Sequence, residues 1–564
     1  MKNSKSEGRV ILNRREVLRL SAAAATGMAL ATTAHPTQAT ELRPNLKPGD
    51  CSTPRSAIAD TQYGKVRGFL DGGVFTFKGV PYGQTTVGEN RWLPAKAPTP
   101  WRGEYPALIY GGNCPQTLHD WTAIEQTFIQ DWDDGYQSED MLKLNIWTPS
   151  LTGKRAVMFY IHGGGFQFGS AYELPSHEGA QMARHHDVVQ VSVNHRLNVL
   201  GFLDVSEIGG AEYADSVNVG MTDLVAALRW VRDNIANFGG DPDNVMIYGQ
   251  SGGGGKVATL MGMPSAAGLF HRAAIQSGGG FASSADESKQ FARQLMKQLG
   301  LEPHDLGALQ KMDWASLNAA ADAAQGQMPK RADMPFSMPG PTRRFWMPVL
   351  DGRVITMRSF QDAAPAISKD VPLMVGSVSE EGNAMASDPT EAEWRAGLAR
   401  AYGQSRGNAL ADAMKKAHPE KSIRTLSYMC GGGGILNALS MRNGVVNMAK
   451  MKYDLQAAPV YTYYFCWQTP ILDHQPGAWH TADLQFCFDN VKRCEQGTGN
   501  TPEAQALASK MATAWANFAK TGNPSQPGLS WTPSDPERNQ TMVWDNDARM
   551  QDDPEGELRK MILL

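Results

Sequence analysis

One pentapeptide constrains this chain more than any other feature. Gly249-Gln250-Ser251-Gly252-Gly253 stands directly after the apolar run Val245-Met246-Ile247-Tyr248 and before a helix-compatible stretch. A serine flanked by glycines two residues to either side fits a sharp strand-to-helix turn. Such a turn strains the serine backbone and presents its oxygen at the carboxyl end of a sheet. The glycines leave room for the adjoining strand and helix. On its own the pattern describes any glycine-rich turn; the strand–turn–helix setting is what points to a nucleophile. A phosphate-binding loop is the rival for Gly252-Gly253-Gly254-Gly255-Lys256, and it fails in detail. Gln250 stands five before Gly255, and Val257 follows the lysine where Ser or Thr would hold magnesium.

The neighbouring sequence supplies a scaffold for that turn. Val157–Ile161 and Val188–Val193 read as buried strands. Leu224, Ala227, Leu228, Val231 and Ile235 fall on one helical face between Asp223 and Phe238. Strands alternating with helices imply an α/β fold with a mostly parallel sheet covered by helices. A second glycine cluster, His162-Gly163-Gly164-Gly165-Phe166, ends the first of these strands. Such a loop can aim backbone N–H groups at a developing oxyanion. The N–H groups of Gly164, Gly165 and Gly252 would make a three-donor hole.

Composition excludes several other classes. Charged residues are 20% and hydrophobic residues 42% of 564, which is too apolar for a disordered chain. The net charge of −4 argues against nucleic-acid binding by bulk charge. That average is composite. Residues 1–39 carry Lys2, Lys5, Arg9, Arg14, Arg15 and Arg19 against Glu7 and Glu16, a net +4, which leaves −8 on residues 40–564. A basic start, an apolar stretch from Val17 to Ala34 and Thr37-Gln38-Ala39 read as a signal peptide. Arg14-Arg15 before a mildly apolar run resembles the twin-arginine export motif. An N-terminal membrane anchor is the alternative, but Arg19, Ser21 and the threonines interrupt the run. The expectation is an exported, periplasmic or secreted protein with no stable membrane insertion after processing. Residues 40–57 read as a flexible lead-in and 58–564 as one domain. The six cysteines (Cys51, Cys114, Cys430, Cys466, Cys487 and Cys494) show no zinc spacing, so no metal is indicated.

With these motifs in place, the chain resembles a type-B carboxylesterase, of the carboxylesterase/cholinesterase family of α/β-hydrolases. Ser138–Trp147 matches the family's SEDCLxLNI segment. Asn218–Asp223 and Phe238–Val245 match the approach to the turn. Gly268–Ala273 and Gln276-Ser277-Gly278 match the family's segments after the turn, with Pro348–Gly352 and Phe518–Pro524 as later landmarks. The resemblance implies an α/β-hydrolase fold, with a mostly parallel central sheet, helices on both faces and large insertions forming a gorge. It implies a small-molecule ester substrate and no cofactor. The family's Ser-Glu-His order maps onto Ser251, Glu381 in Gly376-Ser377-Val378-Ser379-Glu380-Glu381-Gly382, and His480 in Gly477-Ala478-Trp479-His480. Glu380 is the near competitor for the acid and His474 for the base; His162 reads as structural.

Three departures from the family bear on chemistry. Gln250 and Gly252 stand where Glu and Ala are usual. Gln removes a negative charge near His480, which argues against cationic choline esters. Met141 replaces the usual Cys, so the early disulfide from Cys114 cannot form; Cys51 could replace the partner, and Cys487 could pair with Cys494. Thr481 and Asp483 stand where Gly or Ser and Glu are usual. Substrate contacts are expected from Trp121, Trp132, Phe166, Gln250, Trp346 and Trp479. The segment from His119 to Tyr136 reads equally as a gorge rim or an amphipathic lid, and Arg343-Arg344 reads as a solvated pair. Two other functions keep the fold: a non-catalytic binding protein and an amidase or peptidase.

Overall fold

The computed structural model describes residues 56–117, 125–328, 346–382, 388–430 and 437–563. All the described elements lie within Ser52–Leu564. The expected signal peptide and most of the lead-in lie outside the described residues, as do Trp121 and Arg343-Arg344.

Among the described residues, eleven strands form the central sheet. In chain order they are β1 Phe69–Asp71, β2 Val74–Pro81, β3 Lys143–Thr148, β4 Arg155–Ile161, β5 Val189–Val193, β6 Gly240–Gln250, β7 Arg272–Gln276, β8 Leu373–Val378, β9 Val460–Phe465, β10 Gln540–Trp544 and β11 Arg549–Asp552. Their spatial order is β11-β10-β9-β8-β7-β6-β4-β5-β3-β2-β1. The run from β10 to β5 is parallel, and both margins are antiparallel.

The middle strands are apolar at nearly every position because both faces are covered. Side chains alternate across a strand, and two cores result. Val157, Phe159 and Ile161 of β4 join Leu224, Leu228 and Val231 in one. Met158 and Tyr160 join Trp515 and Phe518 in the other. The main covering helices are α1 Val219–Asn234, α2 Gly252–Met261, α3 Ala438–Asp454 and α4 Pro502–Thr521. Local sequence sets the ends of α4. The Thr501 hydroxyl accepts from the Ala504 N–H, Pro502 opens the first turn, and Gly522 closes the helix at φ +79°.

Between β8 and β9 the chain inserts helices Glu391–Tyr402, Gln404–Ala417 and Ile423–Cys430, which bury a core of their own around Trp394 and Leu410. Met141 is fully buried and receives the Thr86 hydroxyl at 3.7 Å from its sulfur. Cys114, Cys430, Cys466, Cys487 and Cys494 are all thiols outside any disulfide. The pairing of Cys487 with Cys494 is therefore not present.

Candidate active site

The parallel order of β9, β8, β7, β6 and β4 brings distant sequence segments to one edge of the sheet. Ser251 follows β6, the glycine loop follows β4, Glu381 lies just past β8, and His480 lies beyond β9. Ligands and reactive groups collect at this carboxyl edge in α/β sheets.

Ser251 has φ 59° and ψ −124°, a region that costs a non-glycine residue about 1–3 kcal/mol. The turn is held by the Ser251 N–H donating to the Gln276 carbonyl at 2.8 Å and by the Gly255 N–H donating to the Ser251 carbonyl at 3.0 Å. The flanking glycines are steric requirements. A Cβ on Gly253 would lie 2.1 Å from the Ile161 carbonyl oxygen, and one on Gly249 would lie 2.6 Å from it.

His480 and Glu381 meet across 99 residues of sequence. Nδ1 of His480 is 2.5 Å from Oε2 of Glu381. The other oxygen, Oε1, accepts from the Ser277 hydroxyl at 2.7 Å and the Val378 N–H at 3.1 Å. Glu381 is fully buried, so these donors replace the water it has lost. Nε2 of His480 is 3.1 Å from the side-chain amide nitrogen of Gln250.

Glu380 faces elsewhere. It pairs with Lys421 at 2.5 Å, and its Oε2 accepts from the Ala478 N–H at 3.1 Å. It thereby ties down the segment that ends in His480, two residues on.

A cavity of about 550 Å³ opens over Ser251, Gln250 and His480. Gly164, Gly165 and Gly252 line it, and so do Trp132, Phe166 and Trp346. His474 does not. Among the described residues, the N–H groups of these three glycines donate to no backbone carbonyl. Trp479 does not line the cavity: it is fully buried and packs in the second core against Gly497. Its place in sequence beside His480 suggested a substrate contact, but chain neighbours in a turn point to opposite sides.

Several wall residues carried no sequence signal. Met441 and Met448 come from α3, and Phe281, Met347 and Phe360 from loops. Ser277 had one, since it sits in the Gln276-Ser277-Gly278 landmark. Glu173 and His177 also line the cavity, and His162 and Lys256 are buried polar residues beside them in the fold. Burial pushes the Glu173 carboxyl up to about 8 and the Lys256 ammonium down to about 7, each partly opposed by the other. Burial also lowers His177 to about 3, and Tyr160 hydrogen-bonds its Nε2 at 2.9 Å. Among the described residues no group of three His, Cys, Asp or Glu side chains could hold a metal ion. Chemically, the arrangement offers a hydroxyl, an imidazole oriented by a buried carboxylate, and a glycine loop with free donors in one apolar chamber.

Comparison with known proteins agrees in class. A family profile described as "Carboxylesterase family" matches residues 55–560, and the chain belongs to that family. It is a carboxylic ester hydrolase with the α/β-hydrolase fold. The para-nitrobenzyl esterase of Bacillus subtilis (strain 168) is 32% identical over 508 residues, 90% of this chain and 98% of that protein. The phenmedipham hydrolase of Pseudarthrobacter oxydans is 31% identical, covering 85% of this chain and 92% of that one. Among solved structures, an esterase from Clostridium hathewayi, described as able to hydrolyse aliphatic aromatic polyesters, superposes with a TM-score of 0.77. It is 33% identical, with 91% of this chain and 99% of that chain covered.

Proposed function

We propose that this esterase works through an acyl-enzyme on Ser251, with His480 as general base and acid and Glu381 as its orienting carboxylate. The observation that carries this reading is the 2.5 Å contact of Glu381 with Nδ1 of His480. It leaves Nε2 facing the chamber that Ser251 also lines. His480 takes the Ser251 proton as the oxygen attacks the ester carbonyl. The tetrahedral oxyanion is held by the N–H groups of Gly164, Gly165 and Gly252, each worth about 3 kcal/mol. His480 then protonates the departing alkoxide, and a water that it deprotonates releases the acid. Glu381 holds the imidazole tautomer and stabilises the imidazolium.

The substrate class is drawn from the walls. Phe166, Trp346, Met441 and Met448 give a chamber suited to neutral esters with apolar or aromatic groups. Gln250 supplies no charge for a cationic alcohol. Matched ester and amide substrates, with Ser251→Ala as the blank, test the reading. Ester turnover and fluorophosphonate labelling are expected in the wild type and lost in the folded variant. Persistent labelling would remove Ser251 from its role, faster amide cleavage would favour a peptidase, and no turnover would favour a binding protein.

Export through the twin-arginine route is part of the same proposal. It is supported by Arg14-Arg15 and the apolar stretch after them. Replacing both arginines with lysine should retain the protein inside the cell, as fractionation would show.

A further inference from the structure

The helix that starts at the turn carries a charged residue that the proposed reaction does not use. Lys256 is fully buried. An ammonium in that setting is costly unless its donors are satisfied. Its Nζ donates to the carbonyl oxygens of His162 at 3.0 Å and Gly163 at 3.3 Å. Both belong to the glycine loop.

The second of these bonds has a geometric consequence. The Gly163 carbonyl and the Gly164 N–H belong to one planar trans peptide, so they point in opposite directions. With the carbonyl held inward on Lys256, the N–H is turned toward the cavity. The unit lies between two glycines, where no Cβ opposes rotation of the peptide plane. Reversed, it would present a carbonyl oxygen to the forming oxyanion and repel it.

The other two proposed donors are fixed by backbone alone. The Gly164 carbonyl accepts from the Gln167 and Phe168 N–H groups at 3.2 Å each, which sets the Gly165 N–H. The Ser251 carbonyl accepts from the Gly255 N–H, which sets the Gly252 N–H. Only the Gly163–Gly164 unit depends on side chains: Lys256, and Nδ1 of His162 at 3.1 Å from the Gly163 oxygen.

We propose that Lys256 is a positioning residue for the oxyanion hole: by anchoring the His162 and Gly163 carbonyls it aims the Gly164 N–H at the substrate oxygen. This rests on the serine acyl-enzyme reading above. An amine donates whether it carries two protons or three, so the anchor holds on either side of neutrality.

Lys256→Met keeps the chain length and removes the donors. On a p-nitrophenyl ester, kcat is expected to fall at least tenfold with KM within twofold of the wild type. Affinity for a trifluoromethyl ketone, which adds Ser251 and forms an oxyanion, should fall by a similar factor. Affinity for the corresponding trifluoromethyl carbinol, which forms none, should not change. Lys256→Gln, with one amide donor group, should recover part of the loss. Unchanged kcat and ketone affinity in folded Lys256→Met would overturn the proposal, as would equal losses for ketone and carbinol. If Lys256→Met does not fold because Glu173 is left buried without the nearby amine, the Glu173→Gln/Lys256→Met pair removes both ionisable groups and carries the same expectations. Failure of that pair to fold would assign Lys256 to stability and overturn the proposal. Fluorophosphonate labelling of wild-type Ser251 is measured alongside; its absence would sink the underlying reading and not this step alone.

Discussion

The side-chain amide of Gln250 lies 3.1 Å from Nε2 of His480, on the side of the imidazole away from Glu381. Both imidazole nitrogens are therefore engaged: Nδ1 by a carboxylate and Nε2 by an amide. Turnover on the proposed mechanism requires Nε2 to leave Gln250 for the Ser251 hydroxyl. Gln250→Glu would replace that neutral contact with a second carboxylate. The added negative charge beside the chamber favours a cationic alcohol. The ratio of kcat/KM for a choline ester to that for its neutral carbon isostere is expected to rise several-fold. Steady-state kinetics on the matched pair check it, and an unchanged ratio would mean that this side chain does not face the alcohol group.

Gly252 carries a second departure from the usual family residue. A Cβ at this position would lie 2.0 Å from the Gly165 carbonyl oxygen. Gly252→Ala should suit the first turn of α2 as a helix position, yet it must push the glycine loop away from Ser251. The expected result is a kcat loss of about tenfold or more, from displaced donors, with little change in melting temperature. Steady-state kinetics and thermal unfolding on one preparation separate the two effects.

Glu381→Gln keeps the shape of the side chain and removes the charge that faces Nδ1. Ser277 and the Val378 N–H still find an oxygen to bond. The imidazole loses its orienting acceptor, and kcat is expected to fall by about 10⁴, the scale seen when a triad acid is made an amide. Glu380→Gln should act differently, because Glu380 binds Lys421 and the Ala478 N–H and does not contact the imidazole. Its loss should appear first in melting temperature. Equal kcat losses in the two variants would contradict the division of roles.

These relationships show where sequence was enough. The turn at Ser251, the glycine loop and the central strands were legible because each is a local pattern: a glycine spacing, an apolar run, a helical period. Glu381 was separated from Glu380 by one residue, and the family resemblance chose the one that faces His480. Contacts between distant segments were not legible. Met441 and Met448 reach the cavity from a helix almost two hundred residues past Ser251, and no local pattern marks them. Trp479 was misplaced for a related reason: nearness in sequence to His480 does not set the side on which an indole packs. Lys256 reads in sequence only as part of a failed phosphate loop, since its partners are carbonyls whose direction the sequence does not record.

Five thiols give a further test. Cys114, Cys430, Cys466, Cys487 and Cys494 take part in no disulfide. Burial raises the thiol in each case, to about 12 for Cys430. Thiolate is the reactive form, so iodoacetamide should not modify them at pH 8 in the native protein. All five should react in denaturant without reductant. Peptide mapping by mass spectrometry reads this out, and a Cys487–Cys494 disulfide in the map would contradict the structure.

Acid should destabilise the fold through its buried histidines. His162, His177 and His195 are each held below the ordinary histidine value, chiefly by burial, His177 at about 3. Between pH 6.5 and that lower range the unfolded chain takes up protons at these positions and the folded chain does not. Stability therefore falls as the pH drops below 6.5, by up to about 1.4 kcal/mol per pH unit for each histidine. Glu173, raised to about 8, has the opposite sign between pH 4.5 and 8, because there the folded state holds the extra proton. Asp483, also raised by burial, shares the sign of Glu173, and His271, lowered by burial, adds to the histidine side. His177→Gln removes one histidine contribution along with the 2.9 Å contact to Tyr160. It should melt lower than the wild type at pH 7, yet lose less between pH 6.5 and 5. Thermal unfolding across that range decides it: an equal or steeper slope in the variant would mean that His177 does not titrate on unfolding.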